Sequence, residues 1–189
     1  MARPRKFVEL DSLEAAIRLF CEHGYEGTST EMLVQALGVG RQSLYNSFGD
    51  KWQMYCAALN LYCERESQCH IAQLASEPRA IDGIRAMVRR LVVEQAHVSC
   101  LATNSVCEFG ERKTDLAKIR ESHDAVLRPE IIRRVREAQA DGDLADSLDP
   151  DSVVDFIYSS FSGIRIAARG GLPKDRLRAL GDVVMRCLQ

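Results

Sequence analysis

Five hydrogen-bonding side chains, Gln42, Ser43, Tyr45, Asn46 and Ser47, fall within six consecutive positions, and Arg41 directly precedes them. Their chemistry is that of reading nucleic acid. A glutamine amide can donate to and accept from the edge of an adenine, and a guanidinium can grip a guanine or a phosphate. Upstream, Thr28 and Thr30 stand where a helix should begin, and hydroxyls with unbonded amides at a helix start bind phosphate. Lys51 follows the cluster, and Arg3, Arg5 and Lys6 form a basic arm that could reach an adjacent groove or the backbone.

The elements that must position these groups are legible in the spacing. Val8, Leu10, Leu13, Ala16, Ile17 and Phe20 recur at helical intervals, and His23-Gly24 ends that helix. Gly27-Thr28-Ser29-Thr30 reads as a loop whose last hydroxyl caps a second helix, with Met32, Leu33, Ala36 and Leu37 as its buried face. Gly38-Val39-Gly40 makes a tight turn into a third helix, which Leu44 and Phe48 anchor to the core. The stretch from Thr28 to Lys51 is thus a helix-turn-helix, and its second helix carries the polar cluster to the major groove.

From Asp50 onward the periodicity stays helical and strand signals are nearly absent. A long helix runs from Lys51 to about Leu74, where Ser76-Glu77-Pro78 breaks it. Another covers Ile81 to Val92, and a short cysteine-bearing segment spans His97 to Gly110. The next passes Leu116 to Val135, with Pro129 expected to kink or split it. Asp149-Pro150-Asp151 starts a helix reaching Gly170, and Pro173 opens the last one. The expectation is an all-α fold of about nine helices. A three-helix DNA-binding unit occupies residues 1–51, and a larger helical ligand-binding and dimerisation domain occupies residues 52–189.

The composition fits a globular chain: 189 residues, 46% apolar and 28% charged, with a formal charge of −2. No apolar run approaches a membrane span and no secretory leader is evident, so a cytoplasmic location is expected. Seven cysteines at irregular spacing fit reduced thiols better than a disulfide framework. Charge alone does not favour DNA, since the first 51 residues carry six cations and seven anions. Phosphates feel charge within about 8–10 Å, so the placement of Arg41 and Lys51 matters more than the sum. Non-specific binding should accordingly be weak.

The order H-G-Y-x-G-T-S, helix, G-V-G-x-x-S-L-Y-x-x-F-x-x-K across residues 8–55 resembles the tetracycline-repressor (TetR) family of bacterial transcriptional regulators. A looser likeness continues through A-D-G-D-L, D-P and F-S-G-I-R-I-A-A-R-G-G. The resemblance implies a homodimeric repressor that binds a palindromic operator and is released by a small effector. It places Tyr45 and Asn46 among contacts to bases or backbone, and Lys51 on a phosphate. It also implies that the last two helices form a four-helix interface with their twins. Val153, Ile157, Phe161 and Ile164 on one, and Leu177, Leu180, Val184 and Leu188 on the other, are the stripes for that role. The same stripes would equally serve the chain's own core.

An effector pocket, on the same resemblance, would draw on Tyr62, Met87, Leu91, Cys100, Asn104, Cys107, Phe109, His123, Leu127, Phe156 and Tyr158. This mixture suits a small hydrophobic or amphipathic molecule, and no cofactor is expected. His97, Cys100 and Cys107 lack the fourth ligand of a zinc site, and Cys100 and Cys107 on one helix would stand about 10.5 Å apart, too far for a disulfide. A thiol sensor is the alternative use of Cys107. Enzyme chemistry is not expected: Glu94, His97 and Cys100 fall on different helical faces, and no nucleotide loop or nucleophile elbow is present. A helical adaptor that binds only protein leaves the polar third helix unexplained.

Overall fold

A computed structural model describes the backbone of residues 5–96 and 98–189, with side chains from Leu10 onward except Gln95. Among the described residues the chain is helical with no strand: α1 (Arg5–Gly27), α2 (Thr30–Leu37), α3 (Arg41–Phe48), α4 (Lys51–Ala75), α5 (Ala80–Arg90), α6 (Leu101–Phe109), α7 (Thr114–Ala140), α8 (Pro150–Arg169) and α9 (Lys174–Cys187). A single π-helical turn, Leu91–Gln95, continues α5. The expected all-α class is what the chain adopts.

Two compact units divide the chain. The first takes the chain up to Arg65 together with Cys100–Ser122, and the second takes Glu66–Ser99 and His123–Gln189. The unit that holds the helix-turn-helix therefore continues past the expected boundary at residue 51, and it recruits α6 and the start of α7.

The core of the first unit follows the α1 stripe, with Ala16, Ile17 and Phe20 buried against Leu33, Leu44, Met54, Tyr55 and Leu59. Leu10, expected in that stripe, is exposed. On α2 only Leu33 is buried, and Ala36 faces solvent. An aromatic cluster locks the α1–α4–α6 junction. Phe20 meets Tyr55 edge-on at 4.9 Å, Tyr25 meets Trp52 at 5.4 Å, and Phe109 sits 5.6 Å from Tyr25. Such pairs are worth about 0.5–1.5 kcal/mol beyond the area they bury. Phe109, a candidate pocket residue from the sequence, is therefore part of this core.

Local chemistry sets the helix ends. Gly24 breaks α1 with φ 72, a left-handed value that disfavours any side chain, and a further turn then runs to Gly27. Ser29, not Thr30, caps α2, its hydroxyl accepting from the Met32 amide at 3.2 Å. Asp50 caps α4 as its sequence position suggests, accepting from Gln53 N at 2.8 Å. Asp149 does the same for α8, with Pro150 in the first turn. α7 runs unbroken through Pro129. The expected split does not occur, because packed turns on both sides outweigh the single N–H that proline removes.

In the second unit Leu74, Ile84, Met87, Leu91, Ile131, Val135, Val154, Ile157 and Leu177 form one continuous core. The π turn buries Leu91 and Val92 there while Val93 and Glu94 face outward. α9 comes close enough that a Cβ on Gly181 would stand 2.9 Å from Val92 Cγ2.

Candidate nucleic-acid interface

α3 is short and unevenly buried. Leu44 is 3% exposed and holds the helix down, while Arg41, Gln42, Ser43, Asn46 and Ser47 all face solvent. Gly38, left-handed at φ 63, and Gly40 frame the turn that sets this angle. Most of the polar face is organised before any ligand arrives. Gln42 Nε2 donates to Asn46 Oδ1 at 3.0 Å, one turn on, which orients both amides and leaves Gln42 Oε1 and Asn46 Nδ2 facing outward for a base edge. Arg41 lies 6.0 Å from the Tyr45 ring centroid and 3.4 Å from Glu31 Oε1. Both ends of that ion pair are exposed, so it contributes little and yields to a phosphate. The Tyr45 hydroxyl stands 3.5 Å from Thr30 Oγ1. The hydrogen bond with Thr30, then that with Arg41, holds the phenol below its ordinary range.

Thr28 requires a correction. It is fully buried, and its hydroxyl donates to Gly24 O at 2.6 Å, closing the broken end of α1. No phosphate can reach it. Lys51 is also committed in part: Nζ donates to Thr28 O at 2.8 Å and rests 4.1 Å from the Tyr25 ring centroid. An ammonium has three N–H groups, so the rest of its donor capacity stays available at the start of α4. Arg3 lies outside the described residues, and the side chains of Arg5 and Lys6 are likewise not described.

The sequence reading missed Glu108. Its carboxylate accepts from the Tyr25 and Glu26 amides at 3.0 and 2.9 Å, the unbonded N–H groups that the Gly24 break exposes. α6 thus caps the last turn of α1 from 82 residues away. Asn104, a candidate pocket residue, donates from the same helix to Cys21 O at 3.2 Å. No local signal marks Glu108, because its partner is backbone on a distant element.

The pocket candidates are divided between the two units. Tyr62, Cys100, Asn104 and Cys107 belong to the first unit, and Met87, Leu91, His123, Leu127, Phe156 and Tyr158 to the second. Met87, Leu91 and Leu127 are buried core with Tyr158 packed against them, whereas Phe156 is exposed. Cys100 is buried and caps α6 through Sγ, 3.4 Å from Thr103 N, so it does not share a helix face with the exposed Cys107. His97 lies outside the described residues, and Glu94 is exposed on the π turn.

The interface stripes also need correcting. Val153, Ile157, Phe161, Ile164, Leu177, Val184 and Leu188 are buried in the chain's own core, and of the eight only Leu180 is exposed. A different stripe faces out. Phe156, Ser159, Gly163 and Ile166 share one exposed side of α8, and Leu180, Val183 and Cys187 share one of α9.

A family model described as "Bacterial regulatory proteins, tetR family" matches residues 13–58, the helix-turn-helix and its supporting helices. Over the whole chain, the HTH-type transcriptional repressor ComR of Escherichia coli K12 is 26% identical, covering 97% of this chain and 90% of that protein. The uncharacterized HTH-type regulator YezE of Bacillus subtilis 168 is 27% identical, covering all of both. Residues 13–58 carry the helix-turn-helix of the TetR family. A cysteine-substituted variant of the TetR-family regulator CifR, solved with 26-bp operator DNA, superposes with a TM-score of 0.77 at 27% identity over the full length of both chains. Reduced E. coli NemR shares the fold, with a TM-score of 0.84 at 17% identity, covering 96% of this chain and 97% of that one. The family and these relatives are transcriptional regulators rather than enzymes.

Proposed function

We propose that this chain is a ligand-responsive repressor that binds a palindromic operator as a homodimer and leaves it when a small amphipathic effector binds. The polar face of α3 carries this reading. A short helix held by one buried leucine and presenting Arg41, a pre-oriented Gln42–Asn46 pair and Ser43 is built for base edges. The operator complex of CifR supports it from a relative that matches end to end.

The homodimer forms through the outward stripe of α8 and α9. Phe156 and Ile166 on one helix and Leu180 and Val183 on the other are large apolar side chains left 37–55% exposed. Ser159 and Gly163, with nothing within 4 Å of a Cβ on Gly163, allow a second helix to approach closely. Two copies related by a two-fold axis place two α3 helices on successive major grooves about 34–36 Å apart. An effector that changes this spacing changes affinity without touching DNA. No helix among the described residues is long and apolar enough to cross a membrane, and the site of action is the cytoplasm, beside the DNA.

Selection of bound duplexes from a random pool at low salt tests the reading. Enrichment of an inverted repeat is expected, and a pool that stays random sinks it.

A further inference from the structure

The helix-turn-helix unit carries acidic residues that a phosphate-binding surface does not need. Two of them serve the fold: Asp50 caps α4, and Glu14 pairs with Arg65. Glu31 stands elsewhere. It lies in the first turn of α2 with its side chain 72% exposed, and its Oε1 is 3.4 Å from Nη2 of Arg41, the first residue of α3. The Tyr45 ring centroid is 6.0 Å from the same guanidinium, and the Tyr45 hydroxyl is shared between Thr30 and Arg41. Two residues of α2, Glu31 and Thr30, thus fix the arginine and tyrosine at the edge of the polar face of α3.

A bare guanidinium binds phosphate on any sequence, and a bare carboxylate beside DNA repels it. Paired, the two carry no net charge, so Arg41 adds little to sequence-independent attraction. An exposed pair is weak, and a phosphate takes the guanidinium from it only by leaving Glu31 unpaired against the backbone. A guanine requires no such break. Its N7 and O6 need two N–H groups and a guanidinium has five, so Arg41 serves the base while Glu31 and Tyr45 keep it in place. A side chain held in advance also loses less rotamer freedom on binding. We propose that Glu31 is a positioning residue that makes Arg41 a reader of guanine rather than a general phosphate cation. This rests on the reading of α3 as the DNA-contacting helix and adds to it a determinant of specificity on α2. The other use of Glu31, a carboxylate at the positive end of a helix, concerns stability alone.

The test titrates the wild type, Glu31→Gln, Arg41→Gln and the double variant by fluorescence anisotropy over a range of salt. The duplexes are the selected inverted repeat, versions with each guanine replaced symmetrically by 7-deazaguanine, and a random sequence. In the wild type, 7-deazaguanine at one position per half-site should weaken binding by about tenfold or more, and Arg41→Gln should abolish that penalty. Glu31→Gln should shrink the same penalty by about threefold, while strengthening the random duplex by about threefold and steepening its salt slope by about one phosphate. In the Arg41→Gln background, Glu31→Gln should leave the penalties unchanged. Equal strengthening of repeat and random duplex would mean general repulsion and overturn the proposal. So would an undiminished penalty in Glu31→Gln, a wild type insensitive to 7-deazaguanine, or a changed melting temperature with unchanged binding. Glu31 is exposed and glutamine suits a helix, so the variant should fold, which its melting curve verifies. If the wild type itself does not prefer the repeat to the random duplex, the reading of α3 fails; if it does and Glu31→Gln keeps every penalty, only the role of Glu31 fails.

Discussion

Single residues divide the work between affinity and selectivity. Lys51 lies beside the α1–α2 junction. Lys51→Ala should weaken specific and non-specific DNA by the same factor and reduce the salt slope by about one phosphate, read from titrations at several salt concentrations. His70 controls stability rather than DNA. Its pKa is lowered to about 4 by burial, with Glu66 pulling the other way and Arg90 and Arg165 adding to the lowering. The unfolded chain, with a histidine near 6.5, binds the extra proton first. The histidine's contribution is complete above about pH 6.5 and is lost as pH falls towards 4, an effect on the order of a few kcal/mol. Urea melts across that window should show a slope that His70→Gln flattens. Cys56 is pushed up to about 11 by burial, with help from Asp115 and Asp50, and Cys63 is buried. Alkylation at neutral pH should therefore mark the exposed Cys69, Cys107 and Cys187 first, as peptide mass spectrometry would show.

Among the elements, the junction of α1 with α6 couples most to the reading head. Glu108 supplies the only side-chain acceptor identified among the described residues for the Tyr25 and Glu26 amides. Removing it resembles loss of a helix cap, so Glu108→Ala should cost about 1–2 kcal/mol in denaturant melts. Operator affinity should fall with it, because Thr28 and Lys51 tie the same turn to α2 and α4. Wild-type stability in Glu108→Ala would contradict the capping role of this carboxylate. How much was legible beforehand follows from the range of the interactions. α3 announced itself because its polar run and flanking glycines are contiguous, and the Asp50 and Asp149 caps act within three residues. Glu108 did not, since its partners lie more than 80 positions away. Thr28 looked like a phosphate ligand for the complementary reason: a hydroxyl near a helix start looks the same in sequence whether it faces solvent or, as here, its own backbone.

At the scale of the whole molecule the question is which side of α8 and α9 meets a second copy. Periodicity located the apolar stripes but could not say which partner covers them. Val153, Ile157 and Leu177 proved to be internal core, and the outward stripe is narrower, broken by serines and a glycine. The cluster of Glu66, Arg90 and Arg165 was hidden likewise, as charged residues scattered over three helices that only the fold brings together. The double substitution Leu180→Glu/Val183→Glu changes exposed side chains and should leave the fold intact while producing monomers in light scattering. Its operator affinity should fall by orders of magnitude, since each half-site must then be held alone.

The central claim, that the exposed face of α3 reads bases from two symmetric positions, is met most directly by one titration. Wild-type protein and Gln42→Ala are measured on the selected inverted repeat and on versions changed symmetrically at each base pair. The wild type should discriminate at the position facing Gln42 by about 1–3 kcal/mol per half-site. Gln42→Ala should lose that discrimination while keeping it elsewhere. A variant that discriminates at every position as the wild type does would contradict the assignment of α3 as the reading helix.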